Sequence, residues 1–268
     1  MNKALPVLAL LALSTPALAD DAFSLTSGFD YTTGTYGNTQ STQILYIPVT
    51  AKYESGDWTA KLTVPYIRVT GPGGVLQGFG RVAPPTSAST PTSPRFGRSA
   101  GGGTATNSGL GDIVAALGRT VIGGGEDDVF QLDVVGKIKF GTADPNAGLG
   151  TGENDYSGQL DATYWLSDET SLLGTAGYRI IGQPAGIAVN NVYFGSAGVD
   201  HATSDATNVG VLFDYVQKIT FYGYDQKVGT AYVSHKLSPT LKMMGYLLKG
   251  FSDGSPDRGI GANLTGYF

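Results

Sequence analysis

The chain has 268 residues, no cysteine, 40 glycines, 15 tyrosines, 15% charged residues and a formal charge of −5. The lack of cysteine excludes a disulfide framework, the acidic balance argues against nucleic acid as a partner, and no apolar run is long enough to cross a bilayer as a helix. A soluble domain of this size usually carries more charge. Low charge with 41% hydrophobic residues and abundant glycine and tyrosine suits a β-barrel, which hides its apolar residues by alternation.

Residues 1–19 read as a secretory signal. Lys3 supplies the positive region, Val7 to Leu13 a short apolar core, and Ala17-Leu18-Ala19 a small-x-small cleavage site, leaving Asp20 as the first mature residue. The remaining 20–268 read as one domain, exported through a cleaved signal peptide to the outer membrane of a Gram-negative bacterium.

Twelve strands follow, at 22–36, 42–54, 58–70, 108–122, 129–142, 154–166, 171–182, 191–200, 207–220, 227–237, 241–252 and 258–268. Most are 10 to 15 residues long, as a tilted strand crossing a bilayer requires. The strand at 22–36 sets Phe23, Leu25, Phe29 and Tyr31 against Ser24, Thr26, Asp30 and Thr32. At 129–142, Phe130, Leu132, Val134, Ile138 and Phe140 oppose Gln131, Asp133, Lys137 and Lys139. At 154–166, Tyr156, Leu160, Ala162, Tyr164 and Leu166 oppose Ser157, Gln159, Asp161 and Thr163. The last strand alternates Ile260, Ala262, Leu264, Gly266 and Phe268 with Gly259, Gly261, Asn263, Thr265 and Tyr267. This period-two pattern, apolar outward and polar inward, defines an all-β, twelve-stranded antiparallel transmembrane β-barrel. The faces of 227–237 and 241–252 are ambiguous.

The connections alternate in kind. Residues 55–57, 123–128, 167–170, 201–206 and 238–240 are short, polar and turn-like, and they follow even-numbered strands. The long connection 71–107 and the Gly-rich stretch 144–153 follow odd ones. Short periplasmic turns and long external loops have this parity when both termini are periplasmic. The charges of 71–107 are Arg81, Arg95 and Arg98. Two readings stay open for it: a loop folded into the lumen as a constriction with the arginines inward, or a disordered external loop. Trp58, Tyr66, Phe140, Tyr156 and Tyr178 near strand ends fit interfacial aromatic girdles.

The inward faces carry both signs: Asp30, Lys52, Glu54, Lys61, Asp112, Asp133, Lys137, Lys139, Asp161, Arg179 and Asp214. A charge facing lipid at the midplane costs about 2–4 kcal/mol, so these side chains belong in the lumen. There they either set the ion preference of a water-filled pore or pair off to fill a closed barrel. A catalytic reading finds no support. His201 lies in an expected turn, and Ser234 and His235, as strand neighbours, point to opposite faces. No nucleophile–base pair or metal-ligand cluster stands out, so no cofactor is expected. Gly148 to Gly152 mimics a phosphate loop but precedes a strand, not a helix, and reads as a flexible external turn. Asp253 to Asp257 lacks the bidentate glutamate of a calcium loop and reads as a tight turn.

The segments Gly109-Leu110-Gly111-Asp112, Lys137 to Thr142 and Leu149-Gly150-Thr151-Gly152 resemble the outer-membrane transporter-like family labelled meta-pathway phenol-degradation proteins. That family has a Gly-x-Gly-Asp strand opening, a lysine-bearing strand ending in a Pro-Thr-Gly-like turn, and a Leu-Gly-Thr-Gly loop. Here Phe140-Gly141-Thr142 replaces the middle element. The resemblance implies a twelve-stranded barrel that moves small hydrophobic or aromatic compounds, with no established binding residue and Asp112 as a candidate lumen side chain. The expectation is thus a passive channel for small organic solutes, in contact with outer-membrane lipid, monomeric or weakly oligomeric. The alternative is a plugged structural or adhesion barrel whose external loops bind a partner.

Overall fold

A computed structural model describes residues 21–72, 76–77, 82–83, 104–125, 128–186, 188–221 and 223–268. The signal-peptide expectation at 1–19 and the constriction arginines Arg81, Arg95 and Arg98 lie outside the described residues.

The strands are β1 (Asp21–Gly34), β2 (Thr42–Ser55), β3 (Trp58–Gly71), the short β4 (Leu76–Gln77) and β5 (Val82–Ala83), β6 (Ala105–Leu110), β7 (Ile113–Ile122), β8 (Phe130–Phe140), β9 (Asp155–Trp165), β10 (Thr170–Ile180), β11 (Val192–Ser204), β12 (Thr207–Val216), β13 (Gln226–Ser238), β14 (Leu241–Gly250) and β15 (Arg258–Tyr267). β4 and β5 pair only with each other. β6 and β7 are two parts of one wall strand, interrupted at Gly111-Asp112, and both pair with β3. The wall therefore has twelve antiparallel strands. β1 pairs with β2 on one side and β15 on the other, which closes the barrel. Closure removes the unpaired edges that lipid could not satisfy.

The stagger of the barrel can be read from its register. From Ser24, successive cross-strand partners are Lys52, Lys61, Ala116, Lys137, Ser157, Arg179 and Val192. From Asp200 they are Gly210, Tyr232, Tyr246, Gly261 and Asp30. Val192 and Asp200 lie eight residues apart on β11, and Ser24 and Asp30 six apart on β1, so the register climbs fourteen residues per circuit. Fourteen residues over twelve strands imply a tilt of about 40° and a backbone diameter of roughly 24 Å.

Residue type decides which way each strand faces. Val134, Ile138, Phe140, Leu160, Tyr164, Ile260 and Leu264 are exposed on the outside, where lipid takes the place of water. Their neighbours in sequence turn inward and bond across strands, as do the hydroxyls of Thr26 and Thr265 at 2.8 Å. Phe268 extends the seam, donating its N–H to the Phe23 carbonyl at 2.9 Å, with the two rings 5.8 Å apart. Among the described residues, short turns join the strands at one end, at 56–57, 166–169, 205–206 and 239–240, and the longer connections 35–41, 141–154 and 251–257 lie at the other. His201 lies within β11 rather than in a turn, because that strand runs on to Ser204.

Candidate functional site

The lumen divides by height. At the loop end, the inward positions of β2 and β3 are apolar and paired across strands, Ile44 with Val69 and Tyr46 with Ile67. All four are buried, Ile67 completely. They are covered by Leu149 and Ala143 from the connection 141–154 and by Tyr36 from the connection 35–41. Burial pushes the Tyr36 hydroxyl up to about 12. The connection expected to be a flexible external turn is therefore packed inside the barrel mouth: Leu149 is 2% exposed, and Gly150 and Thr151 are buried with it. The physical reason is the apolar patch on β2 and β3, which needs a lid.

An ionic knot fastens that lid. Asp112, at the break between β6 and β7, accepts a hydrogen bond from the Lys139 Nζ at 2.8 Å and one from the Ala143 N–H at 3.0 Å. The Lys139 Nζ also lies 3.5 Å from an Asp155 oxygen and donates to the Glu153 carbonyl at 3.3 Å. Asp155 accepts from the Gly182 N–H at 3.1 Å, which ties in the next connection. Thr142 accepts from the Ile113 N–H at 2.9 Å and donates to the Gly111 carbonyl at 3.0 Å. Gly150 is required here, since a β-carbon would stand 2.7 Å from that of Ala143 and 3.1 Å from Asp112 Oδ1. A β-carbon on Gly109 would stand 3.0 Å from Leu149 Cδ1. The three sequence segments that carried the family resemblance thus meet at this one latch. Asp112, Lys139 and the neighbouring Arg179 are buried. Asp112 and Lys139 lie in the knot, with Arg179 near Asp155, so Lys139 differs from Lys137 despite sharing a strand face.

Nearer the middle the lumen wall turns polar. Lys52 and Lys61 face each other across β2 and β3, and Lys137 continues the same row beyond Ala116. Lys52 pairs with Glu54 at 2.6 Å. Among the described residues, no carboxylate lies within 4.0 Å of the Lys61 or Lys137 ammonium. Asp133 and Asp161 are direct cross-strand partners. Their like charges are offset by donors: Thr120 at 2.7 Å and Gln131 at 3.0 Å to Asp133, and Gln159 and Thr175 at 2.7 Å to Asp161. Asp214 sits on β12, opposite Val228.

The far wall carries a feature that sequence reasoning missed. Tyr232 and Tyr246 are cross-strand partners on β13 and β14. The Tyr232 ring lies across Gly210 and the Tyr246 ring across Gly261, where a β-carbon would come within 2.3 Å and 2.2 Å of the respective rings. Each hydroxyl donates to a carboxylate, Tyr232 to Asp200 at 2.5 Å and Tyr246 to Asp30 at 2.9 Å. Asp200 is also held by the Asn208 amide at 2.5 Å. The signal that could have found this pair is the glycine opposite each tyrosine, visible only once the register is known.

No group of three or more metal-ligating side chains occurs among the described residues. Ser234 is buried inward while His235 is exposed and bonded to Thr207 at 2.8 Å, an arrangement unsuited to nucleophile and base.

Residues 72–267 match the family described as "Putative MetA-pathway of phenol degradation", and the chain belongs to that family. No curated protein sequence matches the chain. Among solved structures, the fold is similar to the COG4313 outer membrane channel from Pseudomonas putida F1, at 11% identity and a TM-score of 0.68, covering 94% of this chain and 97% of that one. It is also similar to the KdgM porin in complex with disordered oligogalacturonate, at 9% identity and a TM-score of 0.54, covering 91% and 99%. The NanC porin matches at 7% identity with a TM-score of 0.54, covering 91% and 98%. At these identities the likeness establishes a closed twelve-stranded barrel of the kind found in outer-membrane channels.

Proposed function

We propose that the protein is an outer-membrane channel through which small organic solutes, hydrophobic and aromatic ones included, diffuse passively. The observation that carries this reading is the mid-height wall. Lys61 is exposed on an inward-facing position, and an ammonium held there without a carboxylate partner among the described residues calls for water beside it. Membership of the phenol-degradation family and the similarity to a structure described as an outer-membrane channel support the same reading. In it, Lys61, Asp133, Lys137, Asp161, Asp214 and Asp30 line the passage. Asp112 and Lys139 instead hold the connection 141–154 that narrows the outer mouth, with Arg179 buried nearby. Residues 1–19 direct export, the short turns face the periplasm, and the outward aromatics meet the lipid interfaces. No cofactor or energy source is needed.

The test is ion conductance of the refolded full chain in a planar bilayer. Stable conductance steps are expected, and Lys61→Glu with Lys137→Glu should shift the reversal potential toward cation preference. A correctly folded barrel that stays silent contradicts the channel. It would favour the second reading, a plugged structural or adhesion barrel, for which the buried outer mouth is the supporting observation.

A further inference from the structure

The two polar walls stand level with each other. Seven strands separate Lys61 on β3 from Tyr232 on β13. Over that distance the register climbs about eight residues, which equals the eight-residue offset between the lysine row and the tyrosine row. Lys61 and Tyr232 therefore lie at one height, on nearly opposite sides. Six strands, half the circuit, separate Lys137 on β8 from Tyr246 on β14. The backbone diameter of roughly 24 Å is shortened by extended lysines on one side and by rings lying along the wall on the other. The space between is on the order of 10 Å, enough for one small planar molecule and water.

The walls differ in chemistry. One offers the Lys61 and Lys137 ammonium groups, which no carboxylate among the described residues neutralises at contact distance. The other offers two rings pinned at their hydroxyls by Asp200 and Asp30. Donating a hydrogen bond to a carboxylate enriches a phenol ring in electrons, and such a ring stacks best against an electron-poor one. The same two carboxylates repel an anion from the tyrosine side and turn it toward the lysines.

We infer that the mid-lumen is a binding site for planar aromatic solutes bearing one anionic group, such as an aromatic carboxylate or sulfonate. The anion rests on the Lys61 and Lys137 wall, and the ring on Tyr232 and Tyr246. The inference deepens the channel reading and rests on it for its physiological meaning, but the site itself can be tested separately. An electron-withdrawing carboxylate or sulfonate makes its own ring the electron-poor partner that these tyrosines favour. A neutral hydrocarbon gains only the stacking, and an aliphatic anion only the charge.

The test compares benzenesulfonate with cyclohexanesulfonate, both permanently charged at neutral pH. Each is added to the full-length protein while potassium chloride current is recorded, and binding of each to the detergent-solubilised protein is measured by calorimetry. Benzenesulfonate should bind, and reduce the current, at a concentration at least about five-fold lower than cyclohexanesulfonate, roughly one stacking interaction. Tyr232→Leu with Tyr246→Leu should abolish that preference while the response to either anion remains. Tyr232→Phe with Tyr246→Phe keeps the rings and should retain most of it. Lys61→Glu with Lys137→Glu should weaken both anions together. Heat-modifiable migration on gels identifies any variant that has not folded, and the phenylalanine pair then carries the comparison against wild type. Equal potency of the two anions on wild-type protein overturns the inference and leaves the channel standing. Selective binding without any current overturns the channel and leaves the site. Neither binding nor current overturns both.

Discussion

Ile67 and Lys61 occupy the same inward face of β3, six residues apart. Ile67 is fully buried beneath the connection 141–154, and Lys61 is exposed. The loop end of the lumen is built like a protein core, with apolar side chains packed under a lid and charges paired in the dry. The middle is built like a solvated surface, with tyrosines anchored by hydrogen bonds and with Lys61 and Lys137 meeting no carboxylate at contact distance among the described residues. Alternation along a strand therefore says only which residues point inward. Whether an inward residue is apolar or charged reports what covers it at that height.

The packed zone depends most on the latch. Lys139→Met removes the ammonium that Asp112 and Asp155 share and leaves two buried carboxylates facing one another without it. It should cost about 3–5 kcal/mol, as removal of one partner from a buried pair does. The midpoint of urea unfolding, followed by heat-modifiable gel migration, should fall accordingly. A change under about 1 kcal/mol would mean that water reaches the knot and that the two zones are not distinct. Leu149→Ala comes next. Truncating a buried leucine costs about 2–4 kcal/mol in the same assay, and in this protein it should also widen the outer mouth and raise single-channel conductance. Charge changes in the middle should leave stability nearly untouched while altering ion preference, so Lys61→Gln is expected to shift unfolding by less than about 1 kcal/mol and to weaken anion preference measurably. The smallest effect belongs to Arg119→Ala. Its guanidinium sits 5.3 Å over the Trp58 ring and 3.9 Å from Asp57, with both charged side chains largely exposed. Screening leaves such a contact below about 1 kcal/mol, so the unfolding midpoint should barely move.

Much of the wall was legible because lipid imposes a strict rule on outward residues. β8 and β9 show it best: Val134, Ile138, Phe140, Leu160 and Tyr164 face outward as their alternation requires. β13 and β14 were ambiguous for a physical reason. Their inward faces mix Val228 and Leu248, buried near the loop end, with Tyr232, Tyr246 and Lys242 farther down, so both faces contain apolar residues. The strand expected at 108–122 starts earlier, at Ala105, and breaks at Gly111-Asp112. No local pattern distinguishes such a break from a continuous strand rich in glycine. The inserted connection was hidden because its composition is that of any loop, with Leu149 as its one large apolar side chain and clue. The tyrosine pair needed the register itself, since Gly210 and Gly261 acquire meaning only when placed beside Tyr232 and Tyr246.

The chain contains no cysteine, so single cysteines can report on each zone without background. Lys61→Cys and Ile67→Cys, in the full-length protein reconstituted in lipid vesicles, should be exposed to a small membrane-impermeant thiol reagent. Fast labelling at 61 with protection at 67, and loss of that protection when Leu149→Ala is added, is the result expected of a water-filled middle beneath a packed outer lid. Equal protection at both positions, or equal labelling at both, would contradict the two-zone lumen.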